Sequence, residues 1–187
     1  MAGHRVCPWW LGYLLASPLR RLQQDPARLL APYARAGMTV LEPGPGMGFF
    51  TLELARLVGP SGRVVAVDVE PRMLNALRRR AASAGLLGRI DARLARPDTL
   101  GINDLEGCVD FVLAFAVVHE MADAGAFFTE AARSLRPGGT LLLAEPTGHV
   151  GTAEFEAEMQ AAAPAGLAAA ERPRVRGCAA ALLRMPE

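Results

Sequence analysis

Lysine is absent from this chain of 187 residues, and all 20 of its basic side chains other than histidine are arginine. Enzymes that form a Schiff base need an ε-amine, because a guanidinium group stays protonated and cannot add to a carbonyl. P-loop nucleotide hydrolases, protein kinases and serine–lysine hydrolases also depend on a lysine. The composition therefore excludes each of these enzyme classes.

An excess of charge, a disulfide framework and long apolar runs are missing as well. The formal net charge of +1 argues against nucleic acid as a partner. Three widely spaced cysteines, Cys7, Cys108 and Cys178, favour a reducing compartment. No apolar run reaches the ~18 residues of a membrane span, and Ser17-Pro18 makes a poor signal-peptide cleavage site. We therefore expect a cytoplasmic protein with no membrane partner.

Hydrophobic residues make up 51% of the chain, which is enough apolar surface for a full core. The length suits one globular domain of ~100–200 residues. We therefore expect residues 1–187 to form a single domain, with a helical extension at 1–33 and a core at 34–187.

Short apolar runs alternate with segments of helical periodicity along the core. The apolar runs predict five strands, at 38–42, 63–68, 90–95, 110–115 and 140–145. The periodic segments predict four helices, at 51–58, 72–84, 124–135 and 151–163. Strands that alternate with such helices form right-handed parallel crossovers. Two further runs, at 166–170 and 178–184, predict an antiparallel C-terminal edge. The fold class is therefore α/β, with a doubly wound, mostly parallel, seven-stranded sheet.

Glycines recur at every second position after the first predicted strand. They let the backbone turn tightly and approach a ligand closely, at the edge where doubly wound sheets bind ligands. The dinucleotide fingerprint G-x-G-x-x-G, counted from Gly44, needs its third glycine at position 49, which is Phe49. The spacing therefore argues against an NAD(P)-dependent oxidoreductase, which stays open as an alternative.

The pattern E-x-G-x-G-x-G at 42–48 resembles the first motif of the class I S-adenosylmethionine-dependent methyltransferases. The resemblance continues with an acid, Asp68, at the end of the second strand, the stretch 110–123 around the fourth strand, and the sequence LRPGG at 135–139. Residues 136–139 of this sequence predict a turn before the fifth strand. It covers about residues 31–187. It implies a Rossmann-like methyltransferase sheet, S-adenosyl-L-methionine as cofactor and S-adenosyl-L-homocysteine as product.

The resemblance also implies a set of cofactor-binding residues. These are Glu42, Gly44, Gly46, Gly48, Asp68, Val69, Asp98 and Ala114. Asp68 would bind both ribose hydroxyls, since one carboxylate can accept from two donors at once. Related enzymes usually place an acid after the third strand for the adenine amino group, but Arg96 stands at that position. Either Asp98 or the backbone around Pro97 would then replace it.

Methyl transfer from a sulfonium is an in-line displacement, so positioning does most of the work and no metal is needed. A base helps when the acceptor atom carries a proton. Four side chains after the fourth and fifth strands are candidates for that base, His119, Glu120, Glu145 and His149. His119 suits the role because histidine titrates near neutral pH, although each side chain could instead pack against a loop or cap a helix.

The acceptor is expected to be a small molecule. The (Asp/Asn)-Pro-Pro-(Tyr/Phe) motif of enzymes that methylate nucleobase amines is missing, since 114–117 reads Ala-Phe-Ala-Val. A metalloid held by Cys7 and the other thiols is a further possibility for the acceptor. The cluster Arg78-Arg-Arg80 is interpreted as the solvated side of a helix.

The segment before the first motif holds Trp9, Trp10 and Tyr13. In this family such segments often fold over the cofactor, so a lid is one interpretation and packing against the sheet is the other. A catalytically weak protein that binds S-adenosylmethionine as a regulatory or partner subunit also remains an alternative. The exposed edge hairpin is a candidate surface for a homodimer.

Overall fold

The computed structural model describes residues 24–187. Their contacts define two compact units, an N-terminal unit that ends at Ala95 and a C-terminal unit that begins at Arg96. The predictions for Cys7, Trp9, Trp10 and Tyr13 lie outside the described residues. The single-domain boundaries stay a prediction.

Three parallel strands form the sheet of the N-terminal unit, in the order β3-β2-β1. They are β1 (Thr39–Pro43), β2 (Arg63–Asp68) and β3 (Ile90–Leu94). Between residues 24 and 95 this unit has the helices α1 (Pro26–Leu30), α2 (Thr51–Leu57) and α3 (Pro71–Ser83). Because Pro43 pairs with Val67, β1 and β2 end side by side.

Local signals define the bounds of α3. Pro71 occupies its first turn, where a missing N–H costs nothing, and the Glu70 side chain accepts a hydrogen bond from the Arg72 amide at 3.0 Å. Gly85, with φ of +68°, follows the helix in the left-handed conformation that ends many helices. The buried face of α3, which includes Leu74 and Leu77, packs against β2 and β3.

The C-terminal unit has four strands in the order β4-β5-β7-β6. They are β4 (Val109–Phe115), β5 (Leu135–Pro146), β6 (Ala168–Glu171) and β7 (Cys178–Arg184). Its helices are α4 (Ala124–Ser134) and α5 (Thr152–Ala162). β4 and β5 are parallel, whereas β7 is antiparallel to both of its neighbours, β5 and β6.

These seven strands confirm the predicted fold class, with its parallel majority and antiparallel C-terminal end. One prediction was wrong in detail, since the turn expected at 136–139 belongs to β5. The pairing of β5 with β4 is irregular between Val109 and Phe111, where the five steps from Leu135 to Thr140 face two steps of β4. Within residues 24–187 no helix is both long and apolar enough to cross a bilayer.

Candidate functional site

The glycine loop follows β1 and is hydrogen-bonded to the end of β2. Gly44, Gly46 and Gly48 have φ of +65°, +53° and +84°, a left-handed region that favours glycine. The Gly44 amide donates to the Val67 carbonyl at 2.9 Å, and the Gly46 amide donates to Asp68 Oδ2 at 3.2 Å. The carboxyl ends of the two strands therefore share one ordered loop.

Two of these glycines serve different purposes. A Cβ on Gly46 would meet no atom of residues 24–187 within 4 Å, so among these residues the backbone there is open to a ligand. A Cβ on Gly48 would overlap Cδ1 of Leu77 on α3. Gly46 thus leaves room for a bound molecule, whereas Gly48 permits close packing of helix and loop.

Asp68 is held in place by two backbone amides. Its Oδ1 accepts from the Glu70 amide at 2.9 Å and its Oδ2 from the Gly46 amide at 3.2 Å. Burial raises the pKa of Asp68, and these amide hydrogen bonds oppose that rise. Each oxygen keeps a lone pair for a further donor, so the side chain can bind a pair of hydroxyls. Val69, the next residue, is 40% exposed.

Glu42 is a buried acid at the end of β1. Its side chain is 3% exposed, and within residues 24–187 neither Glu42 Oε2 nor the neighbouring Thr51 Oγ1 makes a hydrogen bond of good geometry. Burial raises the pKa of Glu42 to about 8, the nearby Thr51 hydroxyl lowers it, and the charge of Asp68 raises it. The carboxyl group is therefore mostly protonated at pH 7, with one oxygen available to a ligand or water.

Arginines of α3 also reach the strands and the loop. Arg80 donates from Nη1 to the Met47 carbonyl within the glycine loop, and Arg78 donates to the Ala92 carbonyl on β3 at 2.5 Å. The interpretation of residues 78–80 as a solvated helix side is therefore wrong for Arg80, which is half-buried and anchors the loop. The sequence carries no signal for this contact, because it joins positions 33 residues apart.

In the C-terminal unit, His119 and Glu145 form a hydrogen-bonded pair. His119 Nδ1 lies 2.5 Å from Glu145 Oε2. Glu145 is fully buried, and its Oε1 accepts from the amides of Val117 and Val118 at 3.2 and 2.7 Å. The pair forms because β4 and β5 are parallel, which brings the turn after β4 to the carboxyl end of β5.

This pairing defines the protonation of the imidazole. An ionised Glu145 can only accept, so in the neutral form of His119 the hydrogen lies on Nδ1 and Nε2 carries the lone pair. The Glu145 hydrogen bond raises the pKa of His119, desolvation lowers it, and the charges of Glu145, Glu120 and Glu158 raise it further. The side chain keeps 23% of its surface exposed. His119 can therefore act as a base whose protonated form Glu145 stabilises.

The other predicted residues of this unit are more dispersed. Glu120 follows His119 in the turn Val118–Glu120 and is half-buried. Asp98 is exposed in a turn bridged between Arg96 and Thr99, whereas Ala114 is completely buried in β4. Their roles in binding or catalysis stay predictions.

Two further residues of this unit were missed by the sequence reasoning. Ala116 has φ of +54° just after β4, a conformation that an alanine rarely adopts. Glu158 is 8% exposed on α5, and its Oε2 lacks a hydrogen-bond partner within residues 24–187. Its position between buried Phe155 and Ala162, at helical spacing, was a signal available from the sequence.

The residues that the structure describes contain no cluster of metal-binding side chains. Within residues 24–187 no three His, Cys, Asp or Glu side chains lie close enough together to hold a metal ion. Cys108 is exposed and Cys178 is half-buried.

Comparison with known proteins places this chain in a family. The model of the family described as "Methyltransferase domain" matches residues 41–143, which is more than half of the chain. A ribosomal protein L11 methyltransferase of Pelotomaculum thermopropionicum is 36% identical over 115 residues, which cover 62% of this chain and 34% of that protein. A ubiquinone biosynthesis O-methyltransferase of Methylocella silvestris is 32% identical over 143 residues, which cover 75% of this chain and 53% of that protein.

The chain thus spans between a third and about half of the length of these relatives. A solved structure, of a SAM-dependent methyltransferase from Aquifex aeolicus, shares the fold with a TM-score of 0.84 at 24% identity. The match covers 96% of this chain and 100% of that one. Together with the glycine loop and the acid at the end of β2, these matches show that the chain belongs to the class I S-adenosylmethionine-dependent methyltransferases.

Proposed function

We propose that this chain transfers a methyl group from S-adenosylmethionine to a weakly acidic hydroxyl of a small molecule, with His119 as the base. The observation that carries the proposal is the 2.5 Å contact between His119 Nδ1 and Glu145 Oε2. Because two backbone amides hold the buried Glu145, the imidazole has a fixed orientation and a defined tautomer. Such a donor–acceptor arrangement is typical of a general base.

The residues of the N-terminal unit fit the cofactor. Gly46 offers an open backbone, Asp68 offers a carboxylate whose remaining lone pairs suit the two ribose hydroxyls, and buried Glu42 Oε2 offers a site for one donor. When bound, S-adenosylmethionine supplies a methyl group on a sulfonium sulfur, and that sulfur becomes a neutral thioether when the acceptor atom bonds to the methyl carbon. No residue of this chain needs to form a covalent intermediate.

His119 would take the proton of the acceptor at Nε2, while Glu145 stabilises the imidazolium that results. This assistance matters most for a weakly acidic O–H, since a neutral amine already has a free lone pair and loses its proton only after transfer. The relative from Methylocella silvestris, with the wider match to this chain, is named an O-methyltransferase of ubiquinone biosynthesis, which supports a small hydroxylated acceptor. The relative from Pelotomaculum thermopropionicum is named for a ribosomal protein, so the test needs a protein acceptor as well.

The test is formation of S-adenosylhomocysteine by the full chain with three acceptors, a dihydroxybenzene, a primary amine and purified ribosomal protein L11. We expect turnover with the dihydroxybenzene and an acidic limb of the pH–rate profile above pH 6.5, because Glu145 raises the pKa of His119. His119→Asn should lower kcat by about 10²–10⁴-fold and leave the affinity for S-adenosylhomocysteine unchanged. The matched control is His149→Asn, which alters an exposed ring with its centroid 6.0 Å from that of His119.

Each contrary outcome identifies an alternative. Methylation of L11 alone would refute the small-molecule acceptor, and an unchanged kcat in His119→Asn would refute the base. Binding of S-adenosylhomocysteine without turnover on any acceptor would favour a binding or regulatory protein. Calorimetry that detects tight binding of NADH and none of S-adenosylhomocysteine would refute the cofactor itself.

A further inference from the structure

The loop that joins β6 to β7 carries an arginine at every second position. Residues 172–176 read Arg-Pro-Arg-Val-Arg. The three arginines are exposed, whereas Val175 is buried and Pro173 is half-buried. This alternation means that one side of the loop packs on the protein and the other presents guanidinium groups to solvent. Residues 172–177 are called the arginine loop below.

Hydrogen bonds hold the arginine loop in place at both of its ends. At one end, Thr147 donates to the Gly177 carbonyl from its amide at 3.0 Å and from its hydroxyl at 3.3 Å. At the other end, Arg172 makes two hydrogen bonds to Glu156 of α5, at 2.7 and 3.0 Å. The Arg172 guanidinium also lies 5.7 Å from the centroid of the Phe155 ring. A loop that is ordered in advance loses less conformational entropy when a ligand binds.

The turn after β5 lies between the arginine loop and the candidate base. Thr147 of this turn is bonded to Gly177 of the loop. Two residues later, the His149 amide donates to the Pro146 carbonyl at 2.9 Å, which closes the turn. The ring centroid of His149 lies 6.0 Å from that of His119. One short turn therefore contacts the arginine loop and also carries a ring close to His119.

The pairing of β5 with β7 limits the distance from His119 to the arginine loop. Glu145, which is hydrogen-bonded to His119, pairs with Ala179, and paired antiparallel residues have Cα atoms about 5 Å apart. Arg176 comes three residues before Ala179, and three residues span at most ~11 Å. Because an arginine side chain is itself several ångströms long, one small acceptor can contact both His119 and the loop.

The charge of the arginine loop is only partly neutralised by nearby acids. Glu156 is paired with Arg172, and Glu171 precedes the loop as the last, exposed residue of β6. Three arginines against two acids leave an excess of positive charge. Within residues 24–187, exposed Arg174 takes part in no ion pair or hydrogen bond. Its planar fork of N–H donors suits a carboxylate or a phosphate group.

We propose that the arginine loop binds an anionic group of the acceptor, a carboxylate or a phosphate, with Arg174 as the contact residue. The inference rests on the proposed function, in which His119 takes a proton from a hydroxyl of the same molecule. It narrows the acceptor to a small hydroxylated compound with an oxyanion group at some distance from the reacting hydroxyl. The phosphates of RNA are the weaker candidate, because a chain with a net charge of +1 lacks the strongly basic surface that nucleic acid favours.

The test compares kcat/KM of the full chain for 3,4-dihydroxybenzoate and 1,2-dihydroxybenzene, which differ only in the carboxylate. We expect the natural chain to prefer the benzoate, chiefly through a lower KM. Arg174→Gln should lower this preference about three- to tenfold, since one charge-assisted contact is lost at a solvent-screened site. Arg174→Lys keeps the charge without the planar fork and should give an intermediate preference. A parallel series with 4-hydroxyphenyl phosphate distinguishes a phosphate site from a carboxylate site.

The matched control is Arg184→Gln, which removes an exposed arginine from the opposite end of β7, about 20 Å along the strand from Cys178. This variant should keep the natural preference. An unchanged preference in Arg174→Gln would overturn the proposal, and so would an equal loss in Arg184→Gln. Weaker binding of a single-stranded RNA by Arg174→Gln, with the preference unchanged, would overturn it in favour of a nucleic-acid surface.

Calorimetry separates this inference from the proposed function. The titration adds 3,4-dihydroxybenzoate to the chain saturated with S-adenosylhomocysteine, so it needs no turnover. Binding that Arg174→Gln weakens, in a chain that methylates neither hydroxyl compound, would support the anion site and refute only the proposed methyl transfer. Turnover that depends on His119, with the same preference in Arg174→Gln as in the natural chain, would refute only the anion site.

Discussion

Replacing Glu42 with glutamine should remove a pH dependence of stability that buried Glu42 imposes on the fold. The pKa of this carboxyl rises from 4.5 to about 8 in the folded protein, chiefly because burial penalises its charged form. Below pH 4.5 the group is protonated in both the folded and the unfolded chain. Between pH 4.5 and about 8 the folded chain keeps a proton that the unfolded chain releases, so the free energy of unfolding falls as the pH rises.

The magnitude follows from that interval. Each pH unit between the two pKa values costs about 1.4 kcal/mol, so the whole interval corresponds to at most ~5 kcal/mol. A glutamine of similar shape does not ionise, so the free energy of unfolding of Glu42→Gln does not fall with pH for this reason. We expect Glu42→Gln and the natural chain to be similar near pH 5, and the variant to become progressively more stable towards pH 8.

Urea denaturation of both proteins at intervals from pH 5 to pH 8.5 measures this difference. The control is Glu156→Gln, since Arg172 lowers the pKa of Glu156 and this carboxyl stays ionised in both states throughout that range. Its stability offset from the natural chain should therefore be constant with pH. A constant offset for Glu42→Gln as well would refute the reasoning, because it would mean that Glu42 is ionised within the folded core.

Two further predictions concern the glycine loop. An alanine in the left-handed conformation costs about 1 kcal/mol, so Gly46→Ala should lose about that much stability in urea, while its new methyl group weakens binding of S-adenosylhomocysteine. Gly48→Ala must also displace buried Leu77 and should lose ~2–4 kcal/mol; equal losses for the two variants would contradict the assigned roles. Arg80→Met removes the donor to the Met47 carbonyl in the loop and should weaken S-adenosylhomocysteine binding about tenfold, as measured by calorimetry. The control Arg79→Met alters an exposed neighbour and should leave the affinity unchanged. Equal affinities in the two variants would exclude an anchoring role for Arg80.

The strands were predicted well because their signals are local. The run Arg63–Asp68 forms β2 with the predicted bounds, since four consecutive residues buried on both faces of a sheet give an unbroken apolar run. Helix α3 was predicted within one residue at each end, because Pro71 and Gly85 mark its bounds. The turn predicted at 136–139 was wrong because Arg-Pro-Gly-Gly, which is typical of a turn, lies here in the irregular part of the pairing of β5 with β4.

The candidate site was predicted in part. The glycine spacing and Asp68 were evident from the sequence, since the loop joins the carboxyl end of β1 and the acid is the last residue of β2. The contact between Arg80 and the loop was not, because it depends on the packing of α3. Glu158 was missed although its position on the helical face was readable, because an exposed and a buried glutamate look the same until the helix is packed.

By itself, the sequence determined which chemistry is open to this protein. The absence of lysine, the glycine spacing and an acid at the end of the second strand are properties of residue type and local order. Tertiary packing sets the direction in which the pKa values of these acids and of His119 shift. It buried Glu42 and Glu158, and it hydrogen-bonded His119 to Glu145 across 26 positions of sequence. Proton affinity depends on solvent exposure and on neighbouring charge, and for these side chains both are set by how distant segments pack.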